Sequence, residues 1–173
     1  VCNGCLAYLL NATEYLQDPK SMGRVNKTLA QIGKKYTGVP QKSEGKRKVF
    51  EPVKVRHYVE VMAKDVGLDA IAKKAKHPLK NIKGAVHYGC HYMRPTEHAA
   101  FDDPNDPVMI DRIVEACGAT SVDYEDRLDC CGAGGGVRSH VIELANSLTQ
   151  DKCVNIAAAG ADCIVTGCPF CLL

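Results

Sequence analysis

The stretch that most constrains this chain is Cys130-Cys131-Gly132, because further thiols stand far off on either side of it. Cys90 lies upstream with 39 residues between, and Cys168-x-x-Cys171 lies downstream with 36 residues between it and Cys131. Five sulfurs so widely separated can serve one centre only where a folded scaffold brings three loops together. A parallel α/β sheet does this, since ligands of such sheets bind outside the carboxyl ends of the strands.

The flanking residues agree. Ala85-Val86-His87-Tyr88 runs into Gly89-Cys90, and Asp162-Cys163-Ile164-Val165-Thr166 runs into Gly167-Cys168, so two cysteine loops follow short apolar runs. The third loop, residues 130–136, precedes a helical pattern starting near Arg138, and its glycines Gly132, Gly134, Gly135 and Gly136 allow backbone to approach a bulky group. Backbone N–H groups at such a turn favour anionic partners, cluster sulfides and thiolates among them.

Ten cysteines in 173 residues fall below the density of a small disulfide scaffold. Their placement beside glycines and at strand ends, with no secretory signal, predicts thiolate ligands in a reducing cytoplasm rather than disulfides. A net charge of +2 gives no reason to expect nucleic acid as a partner, and no stretch is apolar and long enough to cross a bilayer. The opening Val1-Cys2 and the stop soon after Cys171 predict a fragment of a longer protein.

Along the chain, Cys2-x-x-Cys5-Leu6 repeats the pattern of Cys168-x-x-Cys171-Leu172, which predicts a duplicated domain with the first copy mostly absent. Helices are expected over 2–16 and 18–33, with a loop over 34–48. Val55, Tyr58, Val59, Met62 and Val66 predict an amphipathic helix over 53–65 ending near Gly67, with His57 off its apolar stripe as a surface or capping residue. Asp69 to Lys76 reads as a short helix. Asp106 offers an N-cap with Pro107 in the first turn, ahead of Ile110, Ile113, Val114 and Cys117 at helical spacing. Thr120 to Tyr124 alternates like a strand. Residues 138–158 form a helix with Ile142, Ala145, Cys153 and Ile156 on one side. Cys117, Cys153 and Cys163 are thereby assigned to the core.

Tetrahedral zinc takes four sulfurs, as does an ordinary cubane iron–sulfur cluster, whereas Cys90, Cys130, Cys131, Cys168 and Cys171 make five. Adjacent cysteines are awkward for one small ion but can reach different irons of a larger cluster. The surplus therefore tilts the reading from zinc towards iron–sulfur.

These residues resemble the cysteine-rich CCG domain found in the B-type subunits of heterodisulfide reductase. His87-Tyr88-Gly89-Cys90 and Asp129-Cys130-Cys131-Gly132-Ala133-Gly134-Gly135 look like that family's contexts, and Val55-Arg56-His57-x-x-Glu60 is similar to a segment between its two CCG domains. The resemblance implies the end of a first CCG domain over 1–17, a helical connecting segment over 18–84 and a second CCG domain over 85–173. It implies an α/β fold, a small parallel sheet flanked by helices. It also implies a non-cubane [4Fe–4S] cluster on Cys90, Cys130, Cys131, Cys168 and Cys171, with Gly132, Gly134 and Gly135 lining it. Cys2 and Cys5 would belong to a second cluster completed elsewhere in the full-length protein, with zinc as a possible substitute metal. The implied partners are a ferredoxin-like iron–sulfur subunit, a flavoprotein subunit and a disulfide substrate. Two other functions remain open at this point: an electron-relay subunit of a succinate, fumarate or lactate oxidoreductase, and a structural zinc domain with four cysteine ligands.

Overall fold

The structure is a computed structural model describing residues 1–40, 50–51, 53–134 and 136–172. Gly135 and most of the expected loop over 34–48 lie outside the described residues. Two compact units are present, Tyr8–Val55 and the combination of Val1–Ala7 with Arg56–Leu173.

Helix α1 (Asn3–Tyr15) gives its first turns to the larger unit, and α2 (Pro19–Leu29) lies in the smaller. The start of α2 follows from local chemistry: the Asp18 carboxylate accepts from the Ser21 N–H at 2.8 Å, and Pro19, which has no N–H to leave unpaired, opens the first turn. A short antiparallel pair, β1 (Val39–Pro40) and β2 (Phe50–Glu51), completes this unit among the described residues.

The larger unit opens with α3 (Tyr58–Glu60), a wider π-type run Val61–Gly67 and α4 (Leu68–Lys74). The expected helix over 53–65 is corrected here. Residues 53–57 are not helical, and of Val55, Tyr58, Val59, Met62 and Val66 only Val59 is buried. The π turns take more than 3.6 residues each, so a stripe read at α spacing drifts off the core face. His57 caps α3 by accepting from the Val59 N–H, as one of its two expected roles has it, but it is buried and not on the surface.

Three parallel strands carry the site: β3 (Lys83–His87), β4 (Thr120–Val122) and β5 (Cys163–Thr166), in the order β4-β3-β5. This is the small parallel α/β sheet that the sequence predicts. Between β3 and β4 lie α5 (Cys90–Met93) and α6 (Met109–Ala116), and between β4 and β5 lie α7 (Val137–His140) and α8 (Ile142–Ala158). The last turn is α9 (Pro169–Leu172). Val59, Val86, Tyr88, Tyr92, Ile110 and Val114 form one core cluster, while Ala85, Tyr124 and Ile156 form another. Each large side chain so buried contributes roughly 1.5–3 kcal/mol. Within the first cluster the Tyr88 hydroxyl donates to Asp111 and accepts from the Ile110 N–H at 3.2 Å, so the strand leading to Cys90 is tied to α6 by a satisfied buried polar group.

Three further expectations change. Helix α6 starts at Met109, and Asp102 rather than Asp106 meets its first N–H groups, accepting from Val108 at 3.2 Å and Met109 at 3.0 Å. Asp106 instead pairs with Arg127 at 2.6 Å. The helix expected over 138–158 is interrupted at Val141, whose φ of −138° and ψ of 72° are not helical. Cys153 and Cys163 are exposed, so neither belongs to the core. On α8 the buried stripe is Ala145, Lys152 and Ile156, and Cys153 sits one position, about 100°, off it. Cys163 lies on β5, which pairs with β3 on one side only among the described residues.

Candidate metal centre

All three cysteine loops leave the same edge of the sheet. Cys90 follows the carboxyl end of β3, Cys130 and Cys131 follow β4, and Cys168 and Cys171 follow β5. The parallel register pairs His87 with Thr166, so the loops after β3 and β5 start level, and the Thr166 hydroxyl accepts from the Cys168 N–H at 3.3 Å.

Two of the five sulfurs, those of Cys131 and Cys171, meet there within 4.8 Å of His87. Cys131 Sγ and Cys171 Sγ are 3.3 Å apart. They share a proton with Cys131 as the thiolate end: the bond from Cys171, a contact from His87 and the Ala133 N–H bring the Cys131 thiol down to about 4. The Cys171 thiol is raised by the same bond, by burial, and by Cys131 and Cys168. Cys90 is exposed as a residue, yet partial burial of its thiol raises it, with the Cys130 and Cys131 charges adding to this. Cys130 Sγ accepts from the Gly132 N–H at 3.3 Å. Cys90, Cys130 and Cys168 stand outside that close group, Cys90 and Cys168 acting on its thiols or feeling their charge, and all ten cysteines are free thiols.

Two glycines make the approach possible. At Gly89 a Cβ would lie 3.3 Å from Cys171 Sγ, and the backbone there has φ +75°. At Gly132, φ is +81° and a Cβ would meet the Ala145 carbonyl oxygen at 2.5 Å, so the glycine seats the Cys-Cys loop directly on α8. The Thr149 hydroxyl reinforces that seat, lying 2.8 Å from the Cys131 carbonyl and 3.0 Å from that of Ala145. Gly134 has open space around its Cβ position.

Two features are absent from the sequence-based ligand set. His87 is 2 % exposed and its two ring nitrogens have no hydrogen-bond partner among the described residues, while its ligand atom lies within 4.8 Å of those of Cys131 and Cys171. Every residue from Gly84 to His87 in β3 is buried, so no polar–apolar alternation marks which way its histidine points. The second feature is Asn3, between Cys2 and Cys5. Its amide donates to the Tyr88 carbonyl, and its Oδ1 lies 2.8 Å from His57 Nε2. Because His57 Nδ1 accepts from the Val59 N–H at 3.2 Å, Nε2 carries the proton and donates to Asn3. Burial keeps that ring neutral, with its pKa lowered to about 4. The first Cys-x-x-Cys is thereby fastened to the strand end that leads to Cys90. Cys5 is raised by its bond to Cys2, by the Cys2 charge and, further down, by Cys168.

This donor set fits an iron–sulfur group. It is rich in soft thiolates, one of them already ionised, and lined by backbone N–H groups and a buried histidine with unused nitrogens. Residues 84–173 match the family of cysteine-rich CCG domains, and the chain belongs to that family. Over its whole length it is similar to the B-type subunits of heterodisulfide reductases. It is 38 % identical to that of the ferredoxin:CoB-CoM enzyme of Methanosarcina mazei and 39 % identical to that of the ferredoxin/F(420)H(2)-dependent enzyme of Methanosarcina acetivorans, covering 53 % of each. It is also 32 % identical, over 98 % of its residues and 54 % of the relative, to the 8-methylmenaquinol:fumarate reductase membrane anchor subunit of Wolinella succinogenes. The chain therefore spans about half the length of the curated relatives it matches. No helix among the described residues is long and apolar enough to cross a membrane.

Proposed function

We propose that this chain is part of the iron–sulfur catalytic subunit of a heterodisulfide reductase-like complex, which reduces a disulfide to two thiols with electrons from partner subunits. The observation that carries the reading is the convergence of the Cys90, Cys130–Cys131 and Cys168–Cys171 loops on one sheet edge, with Cys131 Sγ and Cys171 Sγ 3.3 Å apart. Cys90, Cys130, Cys131, Cys168 and Cys171 would hold a non-cubane [4Fe–4S] cluster. When bound, that group supplies electrons one at a time and soft iron with affinity for sulfur. The reaction takes up two electrons and two protons per disulfide.

The chain's own residues prepare the edge for this. The Gly132 and Ala133 N–H groups neutralise thiolate charge, and Gly89 leaves room for Cys171. Asn3 and His57 hold the Cys2–Cys5 pair on the same unit, which is the arrangement expected if a second cluster faces the first across a disulfide. Electrons would come from a ferredoxin-like subunit and a flavoprotein subunit, in a reducing cytoplasmic setting.

A second reading has its own support in the likeness to a fumarate reductase anchor subunit: the cluster relays electrons and meets no disulfide. Turnover of a disulfide by the full-length complex with reduced dye decides between them. Thiol release that depends on intact cluster supports the catalytic role, and an intact, reducible cluster with no thiol release supports the relay. Zinc alone after anaerobic reconstitution would overturn both.

A further inference from the structure

His87 ends the central strand, is 2 % exposed, and has no hydrogen-bond partner for either ring nitrogen among the described residues. A buried imidazole left so is costly unless a group beyond the protein chain meets it. The space it faces is bounded by Cys131 Sγ and Cys171 Sγ, whose ligand atoms lie with its own inside 4.8 Å. Resting on the iron–sulfur reading above, we infer that His87 is a positioning residue that donates a ring N–H to the Cys131 sulfur of the bound centre and holds its reduction potential up, without being an iron ligand itself.

One observation separates donor from ligand. A histidine bound to metal is almost always braced by giving its other N–H to a carboxylate, a carbonyl or water, and no carboxylate or carbonyl braces His87 among the described residues. A hydrogen bond to a cluster thiolate withdraws electron density from sulfur and favours the reduced form.

The test uses the full-length chain, purified anaerobically, as wild type, His87→Leu and His87→Gln. Iron content is measured first. Wild type without iron would remove the iron–sulfur reading itself. With iron present, the inference expects His87→Leu to keep its iron and to be harder to reduce by about tenfold in the one-electron equilibrium, a fall of about 59 mV in midpoint potential. His87→Gln, which still carries N–H groups, should fall less. An unchanged potential in His87→Leu, or loss of iron from a folded His87→Leu, would overturn it, the second outcome making His87 a ligand. Should His87→Leu fail to fold, pulsed electron paramagnetic resonance of wild type labelled with ¹⁵N-histidine answers directly. A weakly coupled histidine nitrogen supports the donor, and a strongly coupled one or none overturns it.

Discussion

At the scale of single residues, Cys130 and Cys131 separate an iron–sulfur cluster from zinc most sharply. Cys130 takes the Gly132 N–H while Cys131 pairs with Cys171, so the adjacent sulfurs already have different partners. Cys130→Ser and Cys131→Ser should each leave a folded protein with an altered or incomplete cluster, read as lowered iron content and a changed low-temperature paramagnetic spectrum. A four-thiolate zinc site would leave one of the two silent. Cys153→Ala and Cys163→Ala, both at exposed thiols, should keep full iron. His57 carries a different prediction. Its ordinary pKa of 6.5 is lowered to about 4 by burial, so between these values the unfolded chain binds a proton that the folded chain does not. Stability is therefore fully present above pH 6.5 and lost as pH falls towards 4, by about 3 kcal/mol at 1.36 kcal/mol per unit. Urea unfolding of wild type and His57→Gln across this window checks it: the slope with pH should be steeper in wild type.

At the scale of elements, the Cys-Cys loop is held by its fit to α8. Gly132→Ala would combine φ +81° with a Cβ 2.5 Å from the Ala145 carbonyl oxygen, and neither backbone can yield cheaply. A loss of about 2–4 kcal/mol is expected, read as a lower denaturation midpoint, with iron lost in parallel. Gly134→Ala, with open space around it, should stay within about 0.5 kcal/mol of wild type. This contrast was not legible in the sequence, where both glycines simply follow two cysteines. The parallel strands and the loops they end in were legible, because apolar runs stopping at Gly-Cys are a local signal. What escaped was whatever depends on register between distant elements. The π-type run after α3 moved Met62 and Val66 off the core. Lys152 took an inward position on α8 through its bond to the Asp126 carbonyl at 2.6 Å, a contact no helical periodicity announces. His57 and Asn3 lie 54 residues apart, and only the fold brings them to 2.8 Å.

At the scale of the whole molecule, the division of labour between core and cluster can be tested by removing the metal. The core clusters contain none of the five cysteines proposed as ligands, and the polar links that secure β3 to α6, from Tyr88 to Asp111 and Ile110, involve no sulfur. The sheet and α6 should therefore survive without iron. The Cys130–Cys131 and Cys168–Cys171 loops differ, because the ties that involve a side chain there are few among the described residues, such as Thr149 to Cys131 at 2.8 Å, Gly132 to Cys130 at 3.3 Å and Thr166 to Cys168 at 3.3 Å. Without iron, Cys90 and Cys171, whose thiols are raised, would take up protons beside the lowered Cys131, and the loops would lose the bonds that a shared metal group would supply. Chelation under anaerobic conditions should leave far-ultraviolet circular dichroism nearly unchanged. Amide exchange should quicken over 129–134 and 167–172 while β3, β4, α5 and α6 keep their protection, since Tyr92 and Met93 pack α5 into the core and local opening follows the number of buried ties in each segment. Exchange that quickened uniformly, together with loss of helical signal, would mean that the cluster is needed for the core itself. The five thiolates would then be a folding nucleus as well as a redox site.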